Sequence, residues 1–128
     1  MRKKVLLVDD SNTVLMMEKM ILSKGFFDIV LARDGVEALA KAKSDNPDVI
    51  LLDVMMPKLD GLSACAAIRA DAATAHIPII MVTTRGEEAS IEKAFRNGCT
   101  DYVTKPINGL ELLTKLQNIL AMESEVAS

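Results

Sequence analysis

Acidic, hydroxyl and basic side chains follow four short apolar runs of this 128-residue sequence. The residues that follow these runs are Asp9-Asp10, Asp53, Thr83-Thr84 and Lys105. If the runs are parallel strands of one sheet, their carboxyl ends lie at the same edge, where open α/β sheets bind ligands. Three carboxylates, a hydroxyl and an ammonium group are then expected to lie close together.

Carboxylates that lie close together repel one another, by about 4 kcal/mol for a pair ~4 Å apart at an effective dielectric constant of ~20. A cluster of Asp9, Asp10 and Asp53 is therefore expected to bind a cation. Oxygen ligands without Cys or His favour Mg²⁺, or Mn²⁺. Lys105 adds a second positive charge that suits a transferring phosphoryl group. Because a carboxylate beside a divalent cation can form an acyl phosphate, these residues predict phosphoryl transfer onto Asp53.

Five apolar runs are predicted to be the β-strands that position these residues. They cover residues 5–8, 28–31, 49–52, 77–82 and 102–103. Most are apolar at every position, which is typical of parallel strands covered on both faces. A segment with apolar residues at helical spacing follows each run. In the first of these helices, Val14, Met17 and Ile21 share one face, and Ser11 or Asn12 can cap the start.

The other helices are predicted at residues 36–43, 61–69, 87–97 and about 108–122. Gly98 can end the fourth helix, and Asn108 with Glu111 resembles a capping box for the fifth. Five successive βα units with right-handed crossovers give an α/β fold, a doubly wound parallel sheet with helices on both faces. We expect one domain over residues 1–128, with its core at about 4–122 and a frayed tail at 123–128. The apolar pattern alone leaves the strand order open.

Composition narrows the classes of partner and compartment. The net charge of −3 offers no basic surplus to neutralise phosphates, so nucleic acid is not an expected partner. No apolar stretch approaches the ~20 residues of a membrane span, and no signal peptide pattern is present, so we expect a cytoplasmic protein. Cys65 and Cys99 have no metal-binding spacing and are expected to be buried apolar residues. Met16, Met17 and Met20 are more typical of core and flank packing than of a docking patch.

The sequence resembles the receiver domains of two-component response regulators, in particular the chemotaxis-type single-domain switches. Five motifs match in order between about residue 4 and residue 122: Leu7-Val8-Asp9-Asp10, Leu52-Asp53-Val54-Met55-Met56-Pro57, Asp60-Gly61, Val82-Thr83 and Tyr102-Val103-Thr104-Lys105-Pro106. This resemblance implies a flavodoxin-like (βα)5 fold with strand order 2-1-3-4-5. It also implies a signalling switch without enzymatic activity, apart from self-phosphorylation from a donor and slow self-dephosphorylation.

The resemblance implies a ligand set for the metal. Asp53 is similar to the phosphoacceptor of the family. Asp10, Asp53 and the backbone carbonyl of Met55 are similar to its direct Mg²⁺ ligands, and Asp9 is similar to the residue that acts through a water molecule.

The resemblance also implies how a signal would leave the site. Lys105, aimed by a cis Lys105–Pro106 peptide bond, is similar to the cation that pairs with the phosphoryl oxygens. Thr83 is similar to the hydroxyl that reorients toward the phosphoryl group, and Tyr102 to the aromatic residue that swings inward with it. The fourth helix, fifth strand and fifth helix would then form the face that binds a downstream protein. The implied phosphoryl donor is a sensor histidine kinase or a phosphotransfer protein.

Other interpretations of the same residues fit less well. An aspartate-nucleophile phosphatase would also use Asp, Thr, Lys and Mg²⁺, but it expects a second Asp two residues after the nucleophile, where this chain has Met55. An FMN-binding flavodoxin needs a phosphate loop after the first strand, where Asp9-Asp10 would repel phosphate. The intact acidic set disagrees with a receiver that has lost its phosphoacceptor function. A purely structural interpretation would make Asp9 and Asp10 helix caps and Tyr102 a core aromatic with an exposed hydroxyl.

Three residues bear on the lifetime of an acyl phosphate. Thr84 stands where the family often has Ala or another very small residue, and a larger side chain would narrow access to the phosphoryl group. Met55 and Arg85 occupy variable family positions beside the path of an attacking water, and a thioether cannot orient that water by hydrogen bonding. We therefore expect the phosphorylated form to persist.

Overall fold

Strands and helices alternate strictly along the chain in the computed structural model, which describes residues 2–56, 58–84 and 88–127. The strands are β1 (Lys3–Val8), β2 (Phe27–Ala32), β3 (Val49–Asp53), β4 (Ile79–Thr84) and β5 (Asp101–Lys105). The helices are α1 (Asn12–Leu22), α2 (Gly35–Asp45), α3 (Gly61–Ala70), α4 (Glu88–Arg96) and α5 (Gly109–Ala127). Pro57, Arg85 and the predicted helix start at Glu87 lie outside the described residues.

The five strands form one parallel sheet in the order β2-β1-β3-β4-β5. This confirms the predicted doubly wound α/β fold and the strand order that the family resemblance implied. The order reverses between β1 and β3, and ligand sites of open α/β sheets lie at such a point. Both of these strands deliver carboxylates to the same edge.

The core has two layers because each strand sends alternate side chains to opposite faces of the sheet. On β3, for example, Val49 and Leu51 pack with α1 and α5, whereas Ile50 and Leu52 pack with α2, α3 and α4. Every residue of β3 is buried. The strand is therefore apolar at each position before Asp53, and this continuous run is the signal that located it in the sequence.

Side-chain caps begin α1, α2, α3 and α5. The Ser11 hydroxyl accepts a hydrogen bond from the Val14 N–H at the start of α1, as predicted. Asp34 and Asp60 cap α2 and α3 in the same way. Asn108 Oδ1 accepts from the Glu111 N–H at 3.0 Å before α5, which confirms one half of the predicted capping box.

Most element ends differ from the predicted ones by one or two residues, and the end of α5 differs by more. Strand β4 begins at Ile79 rather than at Ile77, because Pro78 has no N–H to donate to a neighbouring strand. Ile77 is nevertheless buried in the core. Helix α5 continues through Ala127, beyond the predicted end near Met122, and residues 122–127 contain no Gly or Pro that would end it.

The buried face of α1 differs from the predicted face, because each buried residue lies one position later in the sequence than predicted. The residues predicted to share its face are Val14, Met17 and Ile21, and the buried residues are Leu15, Glu18 and Leu22. Met16, Met17 and Met20 are exposed, so of the expected core and flank packing the core part is wrong. The expectation for Cys65 and Cys99 is confirmed, since both are buried free thiols. Burial raises the pKa of both groups, which keeps them as unreactive thiols.

Candidate phosphoacceptor and metal site

Three carboxylates converge at the carboxyl edge of the sheet, as predicted. Asp9 follows β1 and Asp53 ends β3, and these strands are paired up to Val8 and Leu52. One oxygen from each of Asp9, Asp10 and Asp53 lies within 4.8 Å of the other two. Asp9 and Asp53 are only 1 % and 4 % exposed, whereas Asp10 is exposed. The cluster therefore combines two buried acids with one that faces solvent.

Lys105 provides the positive charge of the site. Its Nζ lies 3.2 Å from Asp9 Oδ2 and 3.3 Å from Asp53 Oδ1, and its side chain is 27 % exposed. The Lys105–Pro106 peptide bond is cis, as the family resemblance implied. Burial alone would lower the pKa of Lys105, but Asp53 and Asp9 together raise it above its ordinary value. The ammonium group therefore stays charged beside both acids.

Burial and repulsion both act on Asp53. Burial first, and then the negative charge of Asp9, raise the pKa of Asp53 from 3.8 to about 6, against the opposing effects of Lys105 and of the Met55 N–H hydrogen bond. The Lys105 ammonium group thus compensates only part of the negative charge. A carboxylate with this pKa is mainly ionised near neutral pH.

The donor set fits a divalent cation. Asp9 Oδ1 accepts a hydrogen bond from the Ser11 N–H at 2.9 Å, but the buried Asp9 Oδ2 has no hydrogen-bond partner among the described residues. Lys105 Nζ is close enough to this oxygen for an ion pair. A buried carboxylate oxygen whose charge is offset only by a shared ammonium group is costly. Oxygen ligands and excess negative charge are the features that Mg²⁺ requires of a protein site.

Gly61 holds the backbone of β3 close to the start of α3. Its N–H donates to the Val54 carbonyl at 2.9 Å. A Cβ added at Gly61 would lie 2.0 Å from the Asp53 carbonyl oxygen, a distance that no side chain could occupy without moving the strand end. The glycine of the Asp60-Gly61 motif is therefore required for this close approach.

The predicted switch residues lie on β4, which pairs with β3, and on β5, which pairs with β4. Thr83 is buried near the end of β4, and its hydroxyl donates to the Thr84 carbonyl at 3.3 Å. Tyr102 is half-buried on β5, where its ring contacts Phe95 and Lys115. Met55 is exposed, and its backbone N–H reaches Asp53. The structure thus brings Asp9, Asp10, Asp53 and Lys105 together and places Tyr102 among residues of α4 and α5.

Comparison with known proteins assigns this arrangement to a family. The family model described as "Response regulator receiver domain" matches residues 5–117 of the chain. The chain belongs to this receiver domain family. As a receiver domain, it is a phosphorylation-dependent signalling module of two-component systems.

Relatives of the receiver domain differ in length. Protein PilH from Pseudomonas aeruginosa is 36% identical over 118 residues, which cover 92% of this chain and 98% of PilH. The alkaline phosphatase synthesis transcriptional regulatory protein PhoP from Bacillus subtilis is 38% identical over 128 residues, which cover 100% of this chain and 52% of PhoP. The chain thus spans about half the length of PhoP, and 26% of the response regulator PleD from Caulobacter vibrioides.

Solved structures share the fold of the receiver domain. A putative response regulator from Chloroflexus aurantiacus superposes with a TM-score of 0.91 at 33% identity, covering 94% of this chain and 99% of that one. The receiver domain of the sensor histidine kinase PA1611 from Pseudomonas aeruginosa gives 0.87 at 30% identity, with the same coverage, and has a magnesium ion coordinated in its active site cleft. In the described part of our chain, every helix is too short or too polar to cross a membrane.

Glu18 is a residue near the site that the sequence analysis missed. It is 1 % exposed, and its Oε1 has no hydrogen-bond partner among the described residues. Burial, followed by the negative charge of Asp9, raises the pKa of Glu18 to about 8. The positive charge of Lys105 lowers this pKa, and the negative charge of Asp53 raises it further. The sequence contained a signal for this burial, because Glu18 lies three residues after Leu15 and four before Leu22. At this spacing the three residues share one face of a helix, so an acid lies on an apolar face.

Proposed function

We propose that Asp53 of this receiver domain accepts a phosphoryl group, and that this changes which protein the domain binds. The observation that carries the proposal is the pairing of Lys105 with both Asp53 and Asp9 at a buried strand end. One carboxylate oxygen of Asp53 attacks phosphorus and forms the O–P bond of an acyl phosphate. The bond between phosphorus and the donor breaks at the same time. When the donor is a phosphohistidine, the leaving group is its imidazole ring, whose nitrogen keeps the electron pair of the broken bond.

Lys105 contributes in two ways to this transfer. Its ammonium group favours the ionised form of Asp53, which is the nucleophile. It also lies next to the position that the phosphoryl oxygens would occupy, so it can neutralise the charge that they bring. The side chain is partly buried, and a charge interaction there is stronger than at a fully exposed position.

Asp10, Asp53 and the Met55 carbonyl are the proposed direct ligands of Mg²⁺, or Mn²⁺, with Asp9 acting through a water. This assignment is supported by the short distances within the acidic cluster and by the magnesium ion in the receiver domain of PA1611. When bound, the cation supplies positive charge that offsets both the repulsion among the acids and the charge of the phosphoryl group. Asp10 is exposed, so this side of the cluster is open to an entering ion.

Thr83 and Tyr102 are the proposed switch. Phosphorylation of an acid adds three acceptor oxygens, and the Thr83 hydroxyl can exchange its bond to the Thr84 carbonyl for one to those oxygens. Such a movement of β4 would make room for Tyr102 to turn, because close-packed interiors favour discrete rearrangements. The face formed by α4, β5 and α5 would change shape, and a downstream protein would bind there.

The proposed partners are a sensor histidine kinase or a phosphotransfer protein as donor, and a downstream protein as target, all in the cytoplasm. The net charge of −3 disfavours nucleic acid as a direct partner of this domain. The chemistry of the domain itself would be limited to self-phosphorylation from a donor and slow self-dephosphorylation.

Phosphorylation by a small donor tests the central assignment. Incubation with acetyl phosphate and Mg²⁺ should add one phosphoryl group, detected by mass spectrometry, and Asp53→Asn should abolish it. Asp28→Asn, a change at an exposed aspartate on β2, is the matched control and should be labelled like the wild type. Labelling of Asp53→Asn at the wild-type rate would show that another residue is the phosphoacceptor.

A further inference from the structure

The ring of Tyr102 is held between two helices. Phe95 of α4 meets it edge to face, with ring centroids 6.1 Å apart and ring planes at 89°. Lys115 of α5 contacts it as well, with Nζ 5.0 Å from the ring centroid. Phe95 is 46 % exposed, so this contact lies at the surface rather than in the core. One side chain therefore connects α4, β5 and α5.

Lys115 is fixed in place by more than the ring. Its Nζ donates a hydrogen bond to the Tyr102 carbonyl and forms an ion pair with Asp101, with Nζ 3.3 Å from Oδ1. The same carboxylate oxygen accepts the Tyr102 N–H at 2.8 Å. The Lys115 side chain is thus anchored to the Tyr102 carbonyl of β5 and to the Asp101 carboxylate. Its ammonium group is therefore held in position.

We propose that Phe95 and Lys115 are positioning residues that hold Tyr102 in its orientation in the unmodified protein and so oppose the switch. This inference rests on the proposed role of Tyr102. Both contacts depend on ring geometry, because an edge-to-face pair needs a defined angle and a cation must lie over the ring face. Rotation of the Tyr102 side chain breaks both contacts, so they stabilise only the present orientation.

Removing either contact should raise the population of the alternative orientation. The strength of such ring contacts corresponds to a change of about two- to tenfold in an equilibrium constant. If phosphorylation favours the alternative orientation, the same factor appears as tighter binding of a phosphoryl analogue, because coupling between two sites is reciprocal. The variants should therefore bind the analogue about two- to tenfold more tightly than the wild type does.

A fluorescence titration with beryllium trifluoride and Mg²⁺ tests this inference. Tyr102 is the sole tyrosine and the chain has no tryptophan, so tyrosine emission reports on this residue alone. Phe95→Ala and Lys115→Met should each lower the concentration of half-maximal response by about two- to tenfold. Lys93→Met, which removes an exposed lysine of α4, is the matched control and should leave it unchanged.

The outcomes separate this inference from its alternatives. Lys115→Arg keeps a cation over the ring and should restore the wild-type response, and Phe95→Leu removes the ring while retaining apolar volume if the alanine variant does not fold. A merely structural role would lower stability without tightening binding, so unchanged or weaker binding in both variants would overturn the inference. A wild-type protein that does not respond to the analogue would instead overturn the proposed function, and the inference with it.

Discussion

Replacing Glu18 by glutamine should make the protein more stable, by an amount that grows with pH. Glu18 lies on the buried face of α1, and its pKa is raised from 4.5 to about 8. Burial is the largest cause and the negative charges of Asp9 and Asp53 add to it, although Lys105 opposes them. Near neutral pH the carboxyl group is therefore protonated in the folded protein and ionised in the unfolded chain.

The size of this effect follows from linkage between protonation and folding. Below about pH 4.5 both states carry the proton, and Glu18 does not change stability with pH. As the pH rises from there toward 8, folding must retain a proton that the unfolded chain releases, which costs about 1.4 kcal/mol for each pH unit. At about pH 7 the cost is therefore about 3 kcal/mol, and it stops growing near pH 8.

Urea unfolding of the metal-free wild type and of Glu18→Gln at several pH values measures this cost. The stability gain of the variant should be about 2–3 kcal/mol larger at about pH 7 than at about pH 5. Glu92→Gln, at an exposed glutamate of α4, is the control and should change stability by less than about 0.5 kcal/mol. A gain for Glu18→Gln that is constant with pH would refute the reasoning, because Glu18 would then have the same protonation state in both forms.

Mg²⁺ should reduce the pH dependence without removing it. A cation beside Asp9 and Asp53 offsets their repulsion of an ionised Glu18, but burial, which is the larger cause of the raised pKa, remains. The same unfolding series with saturating Mg²⁺ should show a smaller difference between the wild type and Glu18→Gln.

Other variants test the metal ligands, the lifetime and the backbone of the site. Asp10→Ala should weaken Mg²⁺ binding by about tenfold or more in a calorimetric titration, whereas Thr83→Ala should not, because carboxylates hold a hard cation; equal losses would contradict the ligand assignment. The acyl phosphate should decay more slowly in the wild type than in a Met55→Asn, Thr84→Ala variant, whose amide can orient water; chemical-quench time courses decide this, and slower decay in the variant would reverse the idea. Gly61→Ala should lower the free energy of unfolding by about 1–3 kcal/mol, since its Cβ would lie 2.0 Å from a carbonyl oxygen at the end of β3; urea unfolding at the wild-type midpoint would show that the strand end moves freely.

The strand ends were predictable because burial on both faces leaves a plain signal. Residues 49–52 are apolar at every position, and Asp53 interrupts them where the strand reaches the sheet edge. Once the sheet was assumed parallel, Asp9, Asp53 and Lys105 had to meet, and they do. The strand order came from the family resemblance, since hydrophobic periodicity carries no information about which strands pair.

The residues that were missed depend on tertiary contacts. The apolar spacing predicted that Met17 lies on the buried face of α1, but the buried face contains Glu18 instead. Because Glu18 is an ionisable residue, hydrophobic periodicity did not assign it to the buried face. The contacts of Tyr102 with Phe95 and Lys115 join a strand to two helices, and side-chain geometry decides which residues of those helices reach the ring. Sequence spacing within each helix does not specify such contacts.

The acidic residues that equip this site also oppose the folding of the chain, and their location limits the cost. Asp9 and Asp53 are both buried, and Lys105 offsets part of their charge. The four residues before Asp9 and the four before Asp53 are apolar and buried, and they stabilise the sheet on both faces, so the repulsion is confined to one edge. Because repulsion among these acids opposes the folded state, any positive charge that binds there stabilises the domain. The same repulsion therefore makes metal binding favourable. Asp53 links metal binding to phosphorylation, because it belongs to the repelling cluster and is also the acid that we propose is phosphorylated.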